Sequence, residues 1–267
     1  MNITYCGDTH TCGRSVNEDA FDMQQITGNL ALFVVADGLG GHPAGEVASR
    51  LAITALKDSV RAHAPAQAED TETVMQSSNG SVRTHAPAQV PCSPAQMKEM
   101  LNAGFLAAAR AIADDCSNNA KHTGMATTLL AALFNDTFDC VVANVGDSRA
   151  YLGGTALIRI TKDHSFVQEL FERGLITEDA MQLHPKRNIV TRVVSAVPVN
   201  PDIVDLSLGK NTLVLCTDGL FGALSDEEIF LEVQGEDVPR ICQNLIERSR
   251  AINGDNTTVV VVRALSD

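Results

Sequence analysis

Five short apolar runs set the rhythm of this chain: residues 30–36, 127–134, 140–145, 212–216 and 257–264. They are rich in Val, Leu and Ala and bounded by Gly, Asn or Asp, which predicts buried strands. Between them, apolar residues recur at helical spacing. The stretch 44–60 follows a Gly-Gly-His-Pro turn and predicts a helix. Ser93-Pro94-Ala95-Gln96 predicts a firm helix start: Ser as N-cap, Pro at the first helical position, Gln completing a capping box. That helix should reach about Cys116. Ser165-x-x-Gln168 and Ser225-x-x-Glu228 repeat the capping pattern, and 238–251 predicts a last helix.

Residues 62–92 break this rhythm. They are rich in Ala, Pro, Ser, Thr and Gln, with little apolar periodicity, and VRAHAPAQ (60–67) recurs as VRTHAPAQ (82–89). Two copies are too few for a solenoid. The composition predicts a duplicated, disordered surface insertion, with a partner-docking segment as the alternative.

The chain has 267 residues, 45% hydrophobic, enough for one sizeable core. A net charge of −13 makes nucleic acid and anionic membranes poor partners, because binding them leans on Lys and Arg. The 7 cysteines form no C-x-x-C pair, and Cys140 and Cys216 lie inside apolar runs, so a reduced, cytoplasmic protein is expected. MNITYCGDTH has neither a basic nor an apolar signal region, and no apolar run approaches the roughly 18 residues of a membrane span.

Against that background the placement of five aspartates changes the picture. LALFVVAD ends on Asp37, CVVANVGD on Asp147 and LVLCTD on Asp218; Asp19 stands just before AFDMQQ, and Asp255 just before the run at 257–264. A desolvated carboxylate is costly unless it is paired or binds a metal. Five at strand ends predict one carboxylate-lined pocket at a sheet edge. Carboxylate oxygens without Cys or His partners suit Mg²⁺ or Mn²⁺ rather than Zn²⁺.

The motifs RSVNED (14–19), DGLGGH (37–42), GMATT (124–128), NVGDSRAYL (144–152), TKDHS (161–165), LCTDGL (215–220) and GDNTTVVVV (254–262) follow one another in that order. Together they resemble the PPM-type, or protein phosphatase 2C, family of metal-dependent serine/threonine phosphatases, in its bacterial branch. The resemblance implies an α+β fold, a four-layer α-β-β-α sandwich of two antiparallel sheets flanked by helices, in a single domain over 1–267. It implies two core Mn²⁺ or Mg²⁺ ions, with Asp37 between them, the Gly38 carbonyl, Asp218 and Asp255 completing the set, and Asp19 in the same cluster. Asp147 matches an aspartate that helps hold a third, weaker ion. Arg14 matches the phosphate-binding arginine, whose planar fork meets two phosphate oxygens.

His42 is the candidate general acid, since an alkoxide leaving group needs a proton donor near neutral pH. It stands five residues after Asp37, whereas many eukaryotic members carry their catalytic His where Leu39 stands here. Asn256 and Thr128 match scaffold positions, Ala126 replaces a usual Gly, and the DHS at 163–165 reads as the opening of a helix. Residues 165–200 resemble the bacterial flap subdomain, two short helices broken at Gly174 and followed by a basic stretch from Lys186 to Arg192. That stretch could meet acidic or phosphorylated segments.

The implied function is hydrolysis of phosphoserine and phosphothreonine in proteins by a metal-bridged water, reversing a cognate serine/threonine kinase, by a monomer. Two alternatives stay open: a PPM-fold binding protein without turnover, and a carboxylate-metal hydrolase of small molecules such as nucleotides.

Overall fold

In a computed structural model, residues 2–39, 44–65, 73–77, 80–84, 91–252 and 254–265 are described. The first half runs β1 (Ile3–His10), β2 (Asp19–Thr27), β3 (Leu30–Asp37), α1 (Gly45–His63), β4 (Thr73–Ser77), β5 (Gly80–Thr84), α2 (Pro94–Asn118), β6 (Leu129–Asn135) and β7 (Asp139–Val145). The second half adds β8 (Arg149–Gly153), β9 (Leu157–Arg159), α3 (Phe166–Glu172), α4 (Glu178–Leu183), β10 (Asp202–Ser207), β11 (Thr212–Cys216), α5 (Asp218–Phe221), α6 (Asp226–Val233), α7 (Val238–Ile252) and β12 (Thr257–Ala264). One five-stranded antiparallel sheet has the order β1-β12-β11-β8-β9, the other β10-β7-β6-β3-β2.

The apolar runs lack polar alternation because both faces of each central strand are covered. In β3, Leu30, Leu32, Val34 and Ala36 pack toward α1 and α2, while Ala31, Phe33 and Val35 fill the space between the sheets. In β12, Val260 and Val262 face that same inter-sheet core, and Val259 and Val261 pack with α7. The layers therefore read α-β-β-α, as the family resemblance implied.

Two of the three capping boxes form as expected. Ser93 and Gln96 form a reciprocal capping box with Pro94 at the helix start, and Ser225 and Glu228 form another. Ser165 caps α3 by accepting from the Gln168 amide, but the Gln168 side chain turns to Glu172 instead of closing the box. The short helices α3 and α4 are separated at Gly174, whose φ of 68° suits glycine.

The expectation for 62–92 needs correction at two places. α1 continues through His63, and β4 and β5 pair as an antiparallel hairpin from Thr73↔Thr84 to Ser77↔Gly80. The β-branched residues Thr73, Val74, Val82 and Thr84 favour extended backbone there. The repeated octapeptide thus begins in a helix at Val60 and in a strand at Val82. Cys92 is buried in the core with α1 and α2, and residues 66–72, 78–79 and 85–90 lie outside the described residues. Among the described residues, no helix is long and apolar enough to cross a membrane.

Candidate active site

Antiparallel pairing brings the acids to one end of the sandwich. β2 starts at Asp19 and β3 ends at Asp37, and the two are register partners. Asp147 follows β7, Asp218 follows β11 by two residues, and Asp255 precedes β12 by two. Strands arriving at this end alternate with strands leaving it, so both sheets contribute.

The backbone here is closely fitted. The Asp37 amide donates to Thr128 Oγ1 (2.9 Å), and its carbonyl accepts from the Thr128 amide and Thr127 Oγ1, each at 2.8 Å. The Gly38 amide donates to the Glu18 carbonyl at 3.0 Å. A Cβ on Gly38 would collide with the Gly45 carbonyl, and one on Gly219 with the Asn256 carbonyl. Glycine after each of Asp37 and Asp218 is what lets neighbouring backbone approach. Asn256 accepts from the Glu18 amide (2.9 Å) and donates to the Thr11 and Val16 carbonyls (3.1 and 3.0 Å). It thereby holds the loop carrying Arg14. Asn256 and Thr128 are scaffold, as their motif positions implied.

Arg14 Nη2 donates to Asp255 Oδ2 at 2.8 Å, and its side chain is half exposed. Asp255 raises the Arg14 pKa through that hydrogen bond and its charge. Asp19 is buried; its Oδ2 accepts from Thr217 Oγ1 (2.8 Å) and Thr258 Oγ1 (2.7 Å), and its Oδ1 takes no hydrogen bond. Burial, reinforced by neighbouring negative charge, pushes the Asp19 carboxyl up to about 7, Asp147 to about 8 and Asp218 to about 6. Asp37 is raised well above the usual range by burial, then by Asp19, Asp218, Asp147 and Asp255. Such a cluster calls for positive charge.

The donor set fits hard divalent cations: buried carboxylates, an Asp19 oxygen without a donor, and no thiol or imidazole among the acids named. Among the described residues, no three Asp, Glu, His or Cys side chains close around a single point tightly enough to hold an ion alone. The acids instead act on one another through their charges, with Asp37 under the influence of Asp19, Asp218, Asp147 and Asp255 together. His42 lies outside the described residues.

A cleft of about 1050 Å³ runs from Asp147 and Asp218, past Met181 on α4 and Arg187, to Glu227 on α6. Of the three cations in the basic stretch, Lys186, Arg187 and Arg192, only Arg187 lines it. Lys186 sits over the Phe166 ring, 5.1 Å from its centroid. Arg192 is committed to Asp202 Oδ1 (2.7 Å) and the Asn200 carbonyl, so it anchors the flap instead of offering a free charge.

Two networks escaped the sequence reading. Arg149 donates to both Asp163 oxygens (Nε 3.0 Å, Nη2 2.7 Å) and to Tyr151 Oη (3.0 Å), and lies 3.7 Å from the Phe221 ring centroid. His164 Nδ1 accepts from the Gly146 amide (3.0 Å), and its Nε2 meets Asp202 (3.1 Å). That acceptor role keeps the buried ring neutral, and burial lowers its pKa. DHS therefore braces the Asp147 loop as well as opening α3. The adjacency of DHS to a flap and of GDSR to an acid was the available signal.

A family model described as Protein phosphatase 2C matches residues 6–249. The serine/threonine protein phosphatase PstP of Mycobacterium tuberculosis (strain ATCC 25618 / H37Rv) is 34% identical over 252 residues, 93% of this chain and 42% of that protein. The chain thus spans less than half the length of this relative. The serine/threonine phosphatase stp of Listeria monocytogenes serotype 4b is 34% identical over 221 residues, 81% of this chain and 77% of its own. The crystal structure of the M. tuberculosis phosphatase PstP/Ppp matches with a TM-score of 0.80 and 32% identity over 100% of both chains. The catalytic domain of PstP in complex with 2 manganese ions matches with a TM-score of 0.75 and 30% identity over 99% of each chain.

Proposed function

The chain belongs to the protein phosphatase 2C family, and from that premise we propose that it hydrolyses phosphoserine and phosphothreonine in proteins with the help of Mn²⁺ or Mg²⁺. The observation that carries this reading is the gathering of aspartates from both sheets at one end of the sandwich, with Asp19 and Asp147 buried and an Asp19 oxygen lacking any donor.

Asp37, the Gly38 carbonyl, Asp218 and Asp255 would hold two core ions, with Asp19 in the same cluster and Asp147 toward a third. When bound, such ions acidify water and neutralise phosphoryl oxygens. Arg14 binds the phosphate. Its guanidinium leaves Asp255 or shares it, and presents two parallel donors to the phosphoryl oxygens. His42 protonates the departing serine or threonine alkoxide. The scaffold of Thr127, Thr128 and Asn256 keeps Asp37 and the Arg14 loop in place through the cycle. The substrates are phosphoproteins made by a serine/threonine kinase, and the enzyme acts as a cytoplasmic monomer. Pairing of 2 manganese ions with the related PstP catalytic domain supports the metal assignment.

The test is hydrolysis of a phosphopeptide panel beside nucleotides, with Mn²⁺, with Mg²⁺ and with chelator. Phosphopeptide turnover that needs the cation and exceeds nucleotide turnover is expected. Turnover that survives chelation, or acts on nucleotides alone, refutes the reading.

A further inference from the structure

With Asp19 ionised, as a cation ligand must be, the hydrogen bonds around it have only one consistent direction. An ionised carboxylate accepts and cannot donate, and each threonine hydroxyl has a single proton. Thr217 and Thr258, both fully buried, spend their protons on Asp19 Oδ2. The Thr258 oxygen is then left to accept from the Thr9 hydroxyl at 2.7 Å. The Thr9 oxygen in turn accepts from Asn17 Nδ2 at 2.9 Å. The Thr217 oxygen accepts from the Thr258 amide at 3.0 Å. Asn17 Oδ1 closes the ring by accepting from the Asp19 amide at 3.2 Å.

The ring crosses between the sheets. Thr9 belongs to β1 and Thr258 to β12 in one sheet; Asp19 opens β2 in the other. Both donated protons land on the same oxygen, and the second oxygen stays buried with none. A carboxylate held by one oxygen has its rotation fixed, and its other oxygen presents undiluted charge.

We propose that Thr217, Thr258 and Thr9 are positioning residues that commit Oδ2 of Asp19 to the scaffold and reserve Oδ1 for a divalent cation. The inference rests on the metal-dependent reading above. It assigns a cause to the cation affinity: an ordered hydroxyl chain, two links long on the Thr9 side and one on the Thr217 side. Outer partners that orient a ligand are worth about 10–100-fold in metal affinity.

The test is Mn²⁺ binding by titration calorimetry on the full chain without substrate, with folding checked by circular dichroism. Thr258→Val keeps the shape and removes the hydroxyl. It should weaken the tightest Mn²⁺ step by about tenfold or more. Thr258→Ser should restore affinity to within about threefold, because the hydroxyl and not the methyl group is the active part. Thr9→Val, one link back and partly exposed, should weaken binding by about two- to fivefold while Thr9→Ser does not. Wild-type affinity in a folded Thr258→Val, or equal losses in Thr258→Val and Thr258→Ser, overturns the inference. If Thr258→Val fails to fold, unchanged affinity in Thr9→Val overturns it instead. A wild-type chain that takes up no Mn²⁺ overturns the metal reading as well, whereas uptake that is indifferent to these variants overturns this inference alone.

Discussion

Removing or replacing the shared acid Asp37 should separate the stability of the sandwich from its chemistry. Asp19 and Asp37 belong to one sheet, and Asp218 and Asp255 follow and precede strands of the other. Cations held between them would staple the two layers. Ligands that bind only the folded state add about 2.7 kcal/mol per site at 100 times Kd, so two core ions add about 5 kcal/mol. With about 2.1 cal/mol/K of unfolding entropy per residue over 267 residues, each kcal/mol moves Tm by about 2 °C. Saturating Mn²⁺ should therefore raise Tm by about 10 °C. Asp37→Asn should lose most of that shift. Yet metal-free Asp37→Asn should be at least as stable as the metal-free wild type near pH 8. Burial and four neighbouring acids hold the Asp37 carboxyl well above the usual range, so its ionised form is penalised once folded. The sign follows: a raised carboxyl costs stability as pH climbs past its unfolded value, and the amide removes that cost. Thermal unfolding followed by circular dichroism, with chelator and with Mn²⁺, measures all four states. A wild-type Tm indifferent to Mn²⁺, or an Asp37→Asn protein that keeps the full shift, refutes the reasoning.

Arg14→Ala should mainly raise KM for aryl phosphate, and Arg14→Lys should recover only part of it, because a point charge cannot replace two parallel donors; steady-state kinetics decide. His42→Ala should spare aryl phosphates, which have good leaving groups, and slow phosphoserine peptides far more, so equal losses on both would exclude proton donation. Arg149→Met should destabilise the fold by about 2–4 kcal/mol in denaturant titration, because it leaves buried Asp163 with only the longer 3.7 Å contact to Arg159. Lys186→Ala with Arg187→Ala should lower phosphopeptide kcat/KM, more so at low ionic strength, while aryl phosphate kcat stays within about threefold.

The core was legible where strands are buried on both faces, because Leu30–Ala36 and Val259–Val262 leave no polar alternation to confuse with helix. β1, β2 and β10 were harder to read because they are sheet edges, half solvated and mixed in composition, as in DAFDMQQIT. The acids could be found because a carboxylate at the end of an apolar run is conspicuous. Thr217 and Thr258 could not, since a threonine beside valines looks like any strand residue until its hydroxyl is seen on Asp19. Arg192 looked like a free charge for a local reason: its partner Asp202 lies ten positions on, beyond the loop it fastens. The copies of the VRxHAPAQ octapeptide could not have been told apart by composition, because their neighbours decide between helix and strand.

The pairing of β1 with β12, from Ile3↔Ala264 to His10↔Thr257, has a consequence for how the molecule is born. All five strands of the β2-containing sheet lie within residues 19–207, so that layer can assemble early on the ribosome. The other layer cannot. Its first strand waits for β12, which inserts between β1 and β11 and arrives some 250 positions after β1 begins. Long-range closure of this kind is slow and leaves apolar surface open in the meantime. Arg14 and Asp19 emerge some 200 positions or more before Asp218, Asp255 and Thr258. A chain arrested before residue 257 therefore carries one finished sheet, an uncovered apolar face and an Asp19 that lacks the Thr258 hydroxyl. The aspartate cluster is thus finished only when the strand that closes the second sheet is in place.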